Sequence, residues 1–89
     1  MAEKIILKVA AGSNPASVGG AIVKNLQENK DVEVLAVGAG AVNQAAKGIA
    51  IAAGYAAPQG MSLTARVGFT DVEIEGEKKT GLKFKIIVD

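Results

Sequence analysis

Apolar and polar residues alternate along the first segment of the chain. Ile5, Leu7 and Val9 share one phase, and Lys4, Ile6 and Lys8 the other. A period of two over Lys4 to Ala11 predicts a first strand. Gly12-Ser13-Asn14-Pro15 then breaks the pattern. Asn14 or Ser13 can accept from the free amides that open a helix, and proline suits the first helical position. From there to about Asn29 the period becomes helical, with Val18, Ala21, Ile22, Asn25 and Leu26 inward and Lys24, Gln27, Glu28 and Lys30 toward water. Gly19 and Gly20 inside this helix each cost up to about 1 kcal/mol relative to alanine. Close packing on the sheet is the simpler reason for accepting that cost, and a binding role is the alternative.

Val32 to Val37 predicts a second strand, joined to the first by a right-handed parallel crossover. It opens the most informative run of the chain, VLAVGAGAVNQAAKGIAIAAGYAAPQG from Val34 to Gly60. This reads as strand, glycine-rich turn and a helix over about Ala41 to Ala53 that stops at Gly54. The helix is apolar nearly all round and must be covered on more than one side. A sheet of this size cannot do all the covering, so a second subunit is expected against it. After a turn at Pro58-Gln59-Gly60, Leu63, Ala65, Val67 and Phe69 share one phase while Val72 and Ile74 take the other. The slip at Thr70-Asp71 predicts a bulge or sharp twist between Gly68 and Asp71. Glu75-Gly76-Glu77-Lys78 predicts a hairpin turn with Gly76 at positive φ. Thr80 to Val88 alternates cleanly as the last strand. The order is βαβαββ, an α/β (α+β) two-layer sandwich with two helices on one face of a mixed four-stranded sheet, and residues 1–89 form a single domain.

Composition narrows the function. The chain has 89 residues, 49% hydrophobic and 21% charged, with aromatics only at Tyr55, Phe69 and Phe84. One core of Val, Ile, Leu and Ala is all a chain of this length can bury, roughly 60–65% of its unfolded surface. There is no cysteine and no histidine, so the commonest nucleophile, general base and metal ligands are missing. Ser13, Ser17 and Ser62 have no activating partner in the pattern, and Glu28, Asp31, Asp71, Glu73, Glu75 and Glu77 read as solvating charges. No enzyme, cofactor or metal site is expected. The N-terminus lacks the apolar core of a signal peptide, and no segment reaches the ~20 apolar residues of a membrane span. A cytoplasmic protein without membrane contact is expected.

Gly38-Ala39-Gly40-Ala41-Val42-Asn43 sits between strand and helix, where backbone amides can hold a phosphate. It lacks the last glycine of the dinucleotide fingerprint, and no acidic residue follows about twenty positions on. Glycines for a tight turn are the simpler reading. Asn43 and Gln44 are amides at the entry of an otherwise apolar helix, so they either tie the turn to the first loop or contact a ligand. The net charge of +1 predicts no strong general affinity for polyanions. Strand phase nevertheless puts Lys4, Lys8, Arg66, Lys83 and Lys85 on one sheet face, diluted by Glu33 and Glu73. With few aromatics for stacking, nucleic-acid contacts there would go to phosphate and depend on salt.

GAGAVNQAAKGIAIAAGYAAPQG, followed by FTDVEIEGEKKTGLKFKI, closely resembles the bacterial stage V sporulation protein S family. LKVAAGSNPASVGGAI fits it too, and the match covers essentially the whole chain. The resemblance implies an Alba-like fold, shared with the C-terminal domain of translation initiation factor three. It also implies a homodimer (or higher homo-oligomer) formed through the second helix, a role in spore development such as coat assembly and septation, and nucleic-acid binding. Alba-type proteins carry lysines in the loop before the first helix, where this chain has Gly12-Ser13-Asn14-Pro15. They carry an arginine near the start of the second helix, where this chain has Gly40 or Ala41. The expected function is a non-enzymatic, dimeric regulator that binds DNA or RNA. The candidate contacts are Lys8, Ser13, Asn14, Asn43, Gln44, Lys47, Arg66, Lys83 and Lys85. The alternative is an assembly module of spore development that binds protein and no nucleic acid, and an anion or small-molecule binder is a third reading.

Overall fold

A computed structural model describes residues 2–89. The elements are β1 (Lys4–Val9), α1 (Pro15–Gln27), β2 (Asp31–Ala36), α2 (Ala39–Ala56), a 3-10 turn (Ala57–Gln59), β3 (Leu63–Ile74) and β4 (Glu77–Val88). The βαβαββ order is the one the residue pattern predicts. The sheet order is β1-β2-β4-β3, with β1 parallel to β2 and the other pairs antiparallel. One strand phase supplies the core: Val9, Val32, Val34, Ala36, Phe84 and Ile86 meet Ile22 and Val23 of α1 and Ala41, Ala45 and Ala52 of α2. Both helices therefore cover one face of the sheet and leave the other open. Among the described residues, no helix is long and apolar enough to cross a membrane.

Asn14 caps α1, its Oδ1 accepting from the Ala16 and Ser17 amides at 2.8 and 3.2 Å. Ser13 does a different job, its Oγ accepting from the Ala10 amide at 2.9 Å to close the first loop. Gly19 serves close packing, but against α2 and not the sheet. A Cβ on Gly19 would lie 2.8 Å from Ile51 Cγ2, and one on Gly48 would lie 2.5 Å from Val18 Cγ1. The helices cross at this glycine pair. Gly20 points to open space.

Further expectations need correction. The second helix does not stop at Gly54 but runs on to Ala56, because Ala56 is fully buried and the helical ladder carries on into the Ala57 amide. Gly60, with φ 78°, takes the left-handed place after the 3-10 turn. Gln59 ties this end down, donating to the Tyr55 carbonyl and accepting from Gln27 of α1.

No bulge interrupts β3, which pairs with β4 without a break from Leu63↔Val88 to Ile74↔Glu77. The phase change has another cause. β2 pairs with β4 only as far as Ala36↔Leu82, so the β3–β4 hairpin continues as an arm beyond the sheet. Apolar residues on the arm find no helix there. Val72 and Ile74 instead line a cavity of about 300 Å³ on the open side with Leu35, Val37, Ala10 and Ala11. Gly81 stands where the arm leaves the sheet, and a Cβ there would meet the Ala36 carbonyl oxygen at 2.9 Å. The hairpin closes through only Glu75 and Gly76, both at positive φ (51° and 81°), so Glu77 and Lys78 belong to β4. Two successive positive φ values make the tight hairpin turn whose twist suits paired strands.

Candidate nucleic-acid interface

Ladder register assembles the charged face row by row. Ile6, Glu33, Lys85 and Arg66 lie side by side across the four strands, and Lys8, Leu35, Lys83 and Gly68 form the next row. Lys4 lies beside Asp31 in the row beyond. Strand alternation puts all of these on the face opposite the helices. In these rows five cations share the surface with two carboxylates, Asp31 and Glu33, on a chain whose total charge is +1. Glu73, expected on this face, takes the helix-side phase instead, because the unbroken β3–β4 ladder has no bulge to turn it over. Glu33 lies at the centre of the face and is buried, with Lys4 Nζ at 2.8 Å from one oxygen and Lys83 Nζ at 3.9 Å from the other. Lys8, Arg66 and Lys85 make no ion pair among the described residues.

The other candidates lie on the helix side, at the end of the sheet where β1 and β2 finish. Ser13 and Asn14 are occupied by the loop closure and the α1 cap. Gln44 is tied as well, donating from Nε2 to the Ser13 carbonyl at 2.8 Å. It joins α2 to the first loop, as the structural reading of this amide supposed. Asn43 is exposed and has only a 3.4 Å contact to the Gln44 side chain. Lys47, one turn on, shares its outward stripe. Alanine at position 44 should therefore lower stability by about 0.5–1.5 kcal/mol for the lost hydrogen bond, while alanine at 43 should leave it unchanged. Urea denaturation of the two variants checks this, and equal midpoints would reject the assignment.

The nine candidates thus divide between two surfaces. Lys8 connects them, lining both the cavity under the hairpin arm and a groove beside Ser13, Asn14 and Ser17. Lys4 and Thr70 were missed as site residues. The alternation placed Lys4 on the right face, but only the register shows Lys4 and Thr70 beside Glu33 and Lys83 in one depression.

The glycine turn has conformational reasons of its own. Gly38 has φ 93°, and a Cβ on Gly40 would meet Ala11 Cβ at 2.9 Å, so α2 starts hard against the first loop. No side chain caps α2. The side of α2 turned away from α1 carries Val42 and Ile49, both half-buried. Val67 and Phe69 share the helix-covered phase of β3, yet are 54% and 82% exposed. A family model described as Stage V sporulation protein S matches residues 5–89, nearly the whole chain. The chain belongs to that family, and its role is related to sporulation.

Proposed function

We propose that this chain is a non-enzymatic, Alba-like regulator of sporulation that acts as a homodimer in the cytoplasm and binds DNA or RNA through its phosphates. The observation that supports nucleic-acid binding most is the open sheet face, where Lys8, Arg66 and Lys85 have no anionic partner among the described residues and Lys4 and Lys83 stand beside them. The face holds no aromatic side chain, so stacking on bases contributes nothing and sequence preference is slight. Asn43 and Lys47 supply a second, smaller contact at the start of α2.

Titrating duplex DNA and RNA across a salt series tests this reading. With three cations free of carboxylates, log K should fall against log salt with a slope of about −3 per protomer on duplex DNA. No binding at the lowest salt would overturn it. The dimer is supported by the apolar strip of Val42, Ile49, Val67 and Phe69, which suits a matching strip on a second copy. That strip also favours the alternative, an assembly module that binds another protein of the developing spore. A chain that stays monomeric, binds no nucleic acid and cross-linkes to a partner in sporulating cells would decide for the alternative.

A further inference from the structure

The centre of the basic face is held by a carboxylate that folding alone does not call for. Glu33 is 7% exposed, the one buried charged residue among those described. The lysines that Glu33 pairs with are about half exposed, and ion pairs open to water on one side are worth little, so the pairing is weak evidence of a structural need. Its two oxygens are addressed by two ammonium groups, Lys4 at 2.8 Å and Lys83 at 3.9 Å. The second distance is too long for a hydrogen bond, so Lys83 is held by charge alone. Lys85 faces Glu33 across the ladder. Lys4, Lys83 and Glu33 line a depression of about 180 Å³ together with Thr70, Ile6 and Leu35.

One negative charge spread over two oxygens, met by two ammonium groups beside a hydroxyl, is the pattern a phosphodiester presents and requires. We propose that this depression is a phosphate subsite in which Lys4, Lys83 and Thr70 are the donors and Glu33 is a resident anion. The proposal rests on the nucleic-acid reading above. An incoming phosphate competes with Glu33 for the two lysines. Glu33 therefore keeps the affinity of the face low, and binding through this subsite requires both lysines to swing from carboxylate to phosphate.

Asp31 provides the control, because it lies on the same face, beside Lys4 in the ladder, but makes no ion pair among the described residues. Glu33→Gln and Asp31→Asn remove the same charge, and only the first releases lysines. Binding of the full chain to a labelled duplex DNA at low salt should tighten ~10-fold or more for Glu33→Gln and no more than ~3-fold for Asp31→Asn, with the salt slope of Glu33→Gln steeper by about one to two. Equal gains would mean that only net charge matters and would overturn the subsite while leaving the nucleic-acid reading intact. No binding by the parent chain or any variant removes both. Should Glu33→Gln fail to fold by its melting curve, the parent background still decides. Lys4→Gln should weaken binding ~3-fold or more, against less than ~2-fold for Lys24→Gln on α1. Equal losses would overturn the subsite.

Discussion

Valine in place of Gly48 should lower the melting temperature by roughly 12–24 °C. The two helices touch at Gly19 and Gly48 with almost no side chain between them. The first carbon of any residue at 48 would already stand 2.5 Å from Val18 Cγ1 and 2.8 Å from Val18 Cβ. Val18 cannot turn aside easily, because a β-branched residue in a helix has essentially one rotamer. Overpacking of this kind costs typically 1–3 kcal/mol, and valine adds two further carbons to the same gap, so at least ~3 kcal/mol is expected. A domain of this size has on the order of 4–13 kcal/mol in total, and each kcal/mol moves its melting point by about 4–8 °C. Gly20 gives the opposite result. Nothing lies within 4 Å of a Cβ there, so Gly20→Ala should gain up to ~1 kcal/mol of helix propensity. Thermal unfolding followed by circular dichroism separates the pair. A Gly48→Val variant that melts with the parent would show that the helices do not cross as described.

Lysine at position 69 should turn the proposed dimer into a monomer and leave the fold alone. Phe69 is 82% exposed in the isolated chain, so its removal takes little from the core. In a two-fold interface each copy contributes the same patch. Burying a phenylalanine gives ~1.5–3 kcal/mol, and two copies give ~3–6 kcal/mol, or roughly 10² to 10⁴ in the dissociation constant. Light scattering at micromolar concentration should show a dimer for the parent and a monomer for Phe69→Lys, with far-UV spectra that superimpose. A parent chain that is already monomeric at that concentration would refute the dimer. Ile51 is the wrong place for such a test. Its Cγ2 lies against Gly19, so a charge there opens the helix pair before it reaches any subunit boundary.

Much of the fold was legible because its signals are local. Alternation marked the strands, Asn14-Pro15 marked the start of α1, and Glu75-Gly76 marked the hairpin. The errors fell where a local signal met a distant neighbour. Gly54 looked like a helix stop, but a helix ends where its packing ends, and buried Ala56 lies beyond it. The phase change at Thr70-Asp71 looked like an extra residue. It records instead the point where β3 leaves the helices behind and its apolar side chains turn to Leu35 and Val37 on the other face.

The candidate site was legible in the same uneven way. The alternating lysines of β1 and β4 and Arg66 of β3 announced a basic face, because side-chain phase within a strand is a property of the strand alone. Gln44 and Asn43 looked equivalent, and only the first loop folding back onto α2 made one a tether and left the other free. By itself, then, the sequence determined the element order, the family, the glycine-led helix entry and, outside the hairpin arm, which face each strand residue takes. The tertiary structure decided what those faces meet: Gly48 against Val18, Phe69 against nothing, and Glu33 between two lysines. The physical reason is that periodicity and turn chemistry act over a few residues, whereas register and helix crossing join residues tens of positions apart.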